Sequence, residues 1–167
     1  HPSSYPLGAE LPRDLVQFGP DLDDDQLQKL IAAVGTLDGR RVLDLGCGAG
    51  AASVAIARRG ARVIAVESST ARLTQARQAA DVAGVKVEFH HSDLADLAFL
   101  RADSIELVVA VYSLAGVQDL GRVFRPLHRI MRPDGALVLS LPHPMSMMLE
   151  ADADDQQTPY LTRTAWS

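Results

Sequence analysis

Short apolar runs alternate with amphipathic stretches along most of the chain. Four runs are nearly continuous and rich in branched residues, as strands covered on both faces of a sheet should be. They occupy residues 42–45, 63–66, 105–111 and 136–141. In residues 85–89, apolar and polar side chains alternate instead, which favours a strand near a sheet edge.

Helical patterns lie between these strands. Apolar residues recur at three- and four-residue spacing in residues 52–56, 73–83 and 120–131. This alternation predicts right-handed crossovers and an α/β, doubly wound, mostly parallel sheet with the strand order 3-2-1-4-5. Such sheets bind ligands beyond the carboxyl ends of their strands, where the strand order reverses. The pattern therefore directs attention to the turn after Leu45.

Composition narrows the class of protein. The 167 residues carry 21 acidic and 16 basic side chains, a formal charge of −5, so a nucleic-acid partner bound by phosphate neutralisation is not expected. No apolar run reaches the roughly 18 residues that a membrane span requires, so no membrane partner is expected either. Cys47 is the single cysteine, which excludes an intrachain disulfide and indicates a cytoplasmic location.

A glycine-rich turn follows the first predicted strand. Residues 42–50 read VLDLGCGAG, in which Gly46, Gly48 and Gly50 allow the backbone to bend sharply and to approach a ligand closely. The helix that follows presents free N–H groups at its start. A bend in an α/β sheet needs glycine without any ligand, so the turn alone leaves the function open.

Three acidic residues accompany the turn. Glu67 closes the second strand, 19 residues after Gly48, where an acid can accept both hydroxyls of a ribose. Asp93 follows the third strand and can accept a hydrogen bond from an exocyclic amine. Asp44 lies inside the first strand, where a buried acid requires a donor or a cation. We expect these carboxylates to meet at one hollow that binds a donor-rich ligand with a positive group.

Four motifs in order give the chain a family resemblance. They are VLDLGCGAG at 42–50, VIAVESS at 63–69, HSDLADL at 91–97 and LHRIMRPDGALVLSLPHP at 127–144. Together they resemble class I S-adenosylmethionine-dependent methyltransferases of the small-molecule type, over about residues 26–144. The resemblance implies a Rossmann-like fold, S-adenosylmethionine as cofactor, and in-line transfer of its methyl group to a small-molecule acceptor.

The resemblance also implies roles for individual residues. Asp44 would reach the ammonium group of the cofactor, Gly46 and Gly48 would face its methionine and ribose portions, and Glu67 would hold the ribose hydroxyls. The remaining cofactor-binding positions are at the turn, beside the adenine and at the end of the fourth strand: Cys47, Ser68, Arg72, Asp93, Leu94 and Val111.

The chain is predicted to divide into three parts. Residues 1–36 would form an irregular, proline-containing arm and, after the acidic run that ends at Asp25, an amphipathic helix with an apolar stripe over residues 27–34. The resemblance implies that this part acts as a cofactor lid, with Phe18 closing over the cofactor. Residues 37–144 would form the core, and 145–167 a flexible loop at the start of a truncated C-terminal part. Tyr112 and His143 are predicted to border the substrate pocket, and His143 is a candidate base. No metal site is predicted.

Two alternatives stay open at this point. A nicotinamide dehydrogenase fits the looser dinucleotide pattern of Gly46, Gly48 and Ala51, although Asp44 would repel an anionic pyrophosphate. A non-catalytic nucleoside-binding protein of the same fold is the other, because fold does not dictate function. The residues after the fourth strand, Leu114-Ala115-Gly116-Val117, lack the His or aromatic pair of many family members. The acceptor and the oligomeric state are therefore left open.

Overall fold

Five parallel strands form one sheet in the order β3-β2-β1-β4-β5. The computed structural model describes residues 34–141, so the predictions for Phe18, His143 and the helix after Asp25 lie outside the described residues. The strands and helices follow one another along the chain as β1 Arg41–Leu45, α1 Ala51–Arg58, β2 Arg62–Glu67, α2 Thr70–Ala83, β3 Val87–His91, β4 Ile105–Val111, α3 Leu120–Ile130 and β5 Met131–Ser140. The predicted fold class and strand order are confirmed.

Both faces of the sheet are covered, as the continuous apolar runs predict. On one face, Val42 and Val63 pack against Ala55 and Ile56 of α1. On the other face, the core includes strand residues together with α3 and the segment before β4: Leu43, Ile64, Val108, Leu97, Leu100, Val123, Leu127 and Ile130. Alternate strand residues therefore point into two separate apolar layers.

The two outer strands differ from the inner ones. Val87 and Phe89 of β3 are only half-buried, which agrees with the edge position predicted from their alternating pattern. β5 starts at Met131, five residues before the predicted position. Its register against β4 shifts between the pairs Ile105–Met131 and Leu107–Ala136, so residues 132–135, Arg-Pro-Asp-Gly, form an irregular stretch. Such a bulge breaks the apolar pattern on which the prediction rested.

Gly50 joins the ligand-side turn to α1. It caps the helix in the left-handed conformation, with φ at 87°. A Cβ atom built on Gly50 would lie 2.8 Å from the Cβ atom of Ala76 and 2.9 Å from its Cα atom. Glycine is needed here both for the backbone angle and for the close approach of α2.

Within residues 34–141, no helix combines the length and the apolar character needed to cross a membrane.

Gly50→Ala should lower the free energy of unfolding by about 2 to 4 kcal/mol, since left-handed strain adds to overpacking. Gly84→Ala is the matched control, because Gly84 also has a positive φ, 67°, but a Cβ atom there would meet nothing within 4 Å. Its cost should be only the backbone strain, about 1 to 2 kcal/mol. Urea denaturation measures both. Equal losses would show that the contact with Ala76 contributes nothing.

Candidate functional site

A cavity of about 340 Å³ opens at the carboxyl ends of β1, β2 and β4. This is the point at which the strand order reverses, as the sequence predicts. The cavity brings together every predicted cofactor-binding residue except Asp93, and also the predicted pocket residue Tyr112. Its lining is Asp44, Gly46, Cys47, Gly48, Ala49, Ala51, Ala52, Glu67, Ser68, Arg72, Leu94, Val111, Tyr112 and Ser113.

The glycine turn forms one wall of the cavity. The N–H groups of Gly46 and Cys47 both donate to the carbonyl oxygen of Val66, at 2.8 and 3.0 Å, and so fix the turn to β2. A Cβ atom on Gly46 would overlap the side chain of Ser113. Gly48 has a φ of 55° and open space where a Cβ atom would stand. The wall thus consists of main chain held against two strands.

Glu67 ties the turn to the start of α2. Its side chain is 6% exposed. Its Oε2 atom accepts a hydrogen bond from the N–H of Gly48 at 2.9 Å, and its Oε1 atom accepts one from the N–H of Ser69 at 2.9 Å. The Ser68 hydroxyl donates to Oε1 at 3.5 Å. Main-chain N–H groups therefore fix the orientation of both carboxylate oxygens of Glu67, which lines the cavity.

Asp44 is the more deeply buried of the two acids, at 1% exposed. Its Oδ2 atom accepts a hydrogen bond from the Ser53 hydroxyl at 2.5 Å. Burial raises the pKa of Asp44 to about 6, although the Ser53 bonds lower it, and the nearby Glu67 charge adds a smaller increase. A buried Asp44 needs a donor, and Ser53 is that donor. Its hydroxyl in the first turn of α1, the helix that follows the glycine turn, is the sequence feature that could have identified it.

The environment of Cys47 disfavours the thiolate that a nucleophilic role would require. Burial, followed by the charges of Asp44 and Glu67, raises the pKa of its thiol to about 12, so the group stays protonated. The side chain packs in an apolar cluster that includes Leu73 and Ala76. Cys47 also lines the cavity at the glycine turn, where the sequence analysis expected it.

The end of β4 forms another wall of the cavity, next to Gly46. Tyr112 has a φ of 56°, a left-handed angle that is strained for a residue with a side chain. Its N–H donates to the carbonyl oxygen of Ser140 at 3.1 Å, which ties the strained residue to β5. The Ser113 hydroxyl donates to the carbonyl oxygen of Leu45 and links β4 to β1. Ser113 was not predicted, although its place just after a strand end is a usable signal.

Asp93 lies outside the cavity. Its Oδ1 atom accepts a hydrogen bond from the N–H of Ala95 at 2.8 Å. It lines a neighbouring hollow of about 430 Å³ that shares Ser68 and Leu94 with the first cavity. The structure therefore places Asp44 and Glu67 in the same cavity and Asp93 in a neighbouring hollow.

Among the described residues, no group of three His, Cys, Asp or Glu side chains is arranged to hold a metal ion.

Comparison with known proteins places this site in a family. Residues 42–135 match the family described as "Methyltransferase domain". The ubiquinone biosynthesis O-methyltransferase of Hahella chejuensis is 36% identical over 104 residues, which cover 62% of this chain and 44% of that protein. The corresponding enzyme of Bordetella avium is 34% identical over 115 residues, 69% of this chain and 48% of that protein. The chain spans less than half the length of these relatives.

Solved structures share the fold. An S-adenosylmethionine-dependent methyltransferase from Mesorhizobium loti matches with a TM-score of 0.63 and 32% identity, over 73% of this chain and 55% of that one. The [4+2]-cyclase SpnF matches with a TM-score of 0.60 and 28% identity, over 68% of this chain and 43% of that one.

The matched residues contain β1, the glycine turn, Glu67 and the whole sheet up to the start of β5. The motifs, the strand order and the family match therefore agree, and the chain belongs to the methyltransferase-domain family, the class I S-adenosylmethionine-dependent methyltransferases.

Proposed function

We propose that this chain is the cofactor-binding part of an enzyme that transfers the methyl group of S-adenosylmethionine to a small-molecule acceptor. The observation that carries the proposal is the pair of buried carboxylates, Asp44 and Glu67, in one cavity beside a wall of main-chain glycines. The relatives from Hahella chejuensis and Bordetella avium are described as O-methyltransferases of ubiquinone biosynthesis, which supports a small-molecule acceptor.

The described residues fit the cofactor. Glu67 has two oxygens at the cavity edge, and a ribose offers two vicinal hydroxyl donors. Its present donors are main-chain N–H groups at 2.9 Å, so the carboxylate is already oriented before a ligand arrives. Ser68, Arg72 and Leu94 line the same cavity and are assigned to the adenine side. Asp93 is assigned to the outer edge of the adenine, from its neighbouring hollow.

Asp44 suits the ammonium end of the cofactor. It is buried, its Oδ2 atom accepts a hydrogen bond from the Ser53 hydroxyl at 2.5 Å, and its pKa is raised to about 6 by burial. A cation placed beside this carboxylate would lower that pKa again, because an opposite charge favours the ionised form. The energetic cost of burying Asp44 is thus offset when a positive ligand group is bound.

The chemistry follows from alignment. When bound, S-adenosylmethionine supplies a methyl group that its sulfonium already activates for displacement. The protein must then hold an acceptor in attack geometry, an effect that can lower a barrier by roughly 7 to 11 kcal/mol. Tyr112 and Ser113 form the wall from which an acceptor would be positioned. His143 is our candidate for a base or a pocket residue, and its place lies outside the described residues.

A specific observation supports a second candidate function. SpnF, described as a [4+2]-cyclase, shares this fold at 28% identity. The fold therefore does not fix the reaction, and a nucleoside-binding protein without methyl transfer is the alternative. Incubation with radiolabelled S-adenosylmethionine and a panel of hydroxyl-bearing small molecules tests the difference, since a labelled acceptor forms only if the protein transfers the methyl group.

Glu67→Gln should weaken binding of S-adenosylhomocysteine by about 1.5 to 3 kcal/mol, because hydrogen bonds to a charged acceptor are lost. Glu88→Gln is the matched control: Glu88 is exposed on β3 and pairs with His90, away from the cavity. Isothermal titration calorimetry measures both affinities. Unchanged affinity in Glu67→Gln would mean that the ribose is held elsewhere and would remove the central support of the proposal.

Asp44→Asn should make the ligand-free protein more stable at pH 8 but not at pH 4. The pKa of folded Asp44, about 6, lies above the usual aspartate value of 3.8, so the free energy of unfolding falls as the pH rises through that window. A shift of this size corresponds to a gain of about 3 kcal/mol in the variant. Urea denaturation at both pH values measures this gain.

The same Asp44→Asn variant should bind S-adenosylhomocysteine more weakly than the natural protein, because the ammonium group loses its counter-charge. Asp96→Asn, at an exposed position outside the cavity, is the control for both measurements. An equal stability gain at pH 4 and pH 8 would contradict the proposed ionisation of Asp44.

A further inference from the structure

His91, the last residue of β3, contacts the loop that follows Glu67. Its Nε2 atom lies 2.8 Å from the carbonyl oxygen of Ser68. A carbonyl oxygen only accepts hydrogen bonds, so Nε2 must carry a proton and donate it, in the neutral as well as the charged imidazole. This contact cannot be read from the sequence, because Ser68 lies 23 residues before His91 in the loop after β2.

The peptide that His91 holds also bonds to Glu67. The carbonyl of Ser68 and the N–H of Ser69 belong to one planar peptide unit and point in opposite directions. The Ser69 N–H donates to the Glu67 Oε1 atom at 2.9 Å. A rotation of this peptide away from His91 would therefore also turn the N–H away from the carboxylate.

Two further bonds hold the same junction. The N–H of Ser92 donates to the carbonyl oxygen of Glu67 at 3.2 Å, so the end of β3 binds two successive carbonyls, those of Glu67 and Ser68, where β2 ends. The Ser69 hydroxyl accepts from the N–H of Arg72 at 3.4 Å and caps α2. The Ser68–Ser69 peptide therefore lies between the Ser92–Glu67 bond and the cap of α2. The His91 side chain holds this peptide through the carbonyl oxygen of Ser68.

We propose that His91 is a positioning residue for nucleoside binding: by holding the Ser68–Ser69 peptide, it orients the Glu67 carboxylate toward the ribose hydroxyls of the ligand. The proposal rests on the proposed function of the Glu67 cavity. His91 does not line that cavity and acts only through the peptide.

The adjacent histidine provides an internal comparison. The Nε2 atom of His90 lies 2.6 Å from the Oε1 atom of Glu88, and its ring stacks on Phe99 with centroids 4.0 Å apart. Successive strand residues point to opposite faces of a sheet. His90→Ala therefore removes the same side chain one residue away without touching the Ser68–Ser69 peptide.

The test compares ligands as well as variants. His91→Ala removes the donor, and His91→Gln retains an N–H donor. Calorimetric affinities are measured for S-adenosylhomocysteine and for its analogue that lacks both ribose hydroxyls. His91→Ala should weaken S-adenosylhomocysteine about 3- to 10-fold, as expected for one hydrogen bond, and the analogue by less than about twofold. His91→Gln should restore most of the loss, and His90→Ala should change neither affinity.

Three results would overturn the proposal. Equal weakening of both ligands by His91→Ala would mean that the effect does not pass through the ribose. Unchanged affinity for S-adenosylhomocysteine would mean that the peptide holds its orientation without His91. A His91→Gln variant as weak as His91→Ala would mean that the donated hydrogen bond is not the cause. Failure of the proposed function is seen separately, as absence of S-adenosylhomocysteine binding by the natural protein.

Discussion

The burial of two carboxylates at the point where the sheet reverses its strand order is the constraint on which this structure depends. A buried charge needs donors or an opposite charge. The donors here are the Ser53 hydroxyl for Asp44 and two main-chain N–H groups for Glu67. The wall facing these acids is built from glycine backbone, which leaves room for a ligand that carries the remaining donors and a positive group. The two carboxylates that the fold must bury are therefore the same groups that would select the ligand.

The strands that carry these acids were predictable because burial on both faces of a parallel sheet demands continuous apolar runs. The strand order was expected because a doubly wound sheet places its first strand near the centre, in the order 3-2-1-4-5. The start of β5 was not predictable in the same way, since residues 132–135, Arg-Pro-Asp-Gly, lie in an irregular stretch of the ladder that no alternating pattern marks. The described fold thus follows from periodicity, and its exceptions lie where the backbone departs from regular pairing.

The candidate site was predictable in its position but less so in its contacts. The glycine turn and the strand-end acids identified the cavity, because residues at the carboxyl ends of neighbouring strands must lie together. Ser53 and His91 were missed as partners because a hydrogen bond between elements depends on side-chain direction, which spacing does not encode. Asp93 shows the converse case: it follows its strand as expected, yet its carboxylate turns to the N–H of Ala95.

A crystal structure of this chain with S-adenosylhomocysteine tests the central claim most directly. The account predicts that the two ribose hydroxyls bind the carboxylate of Glu67 and that the ammonium group lies on the side of Asp44. A ligand bound away from the glycine turn, or one whose ribose makes no contact with Glu67, would contradict it.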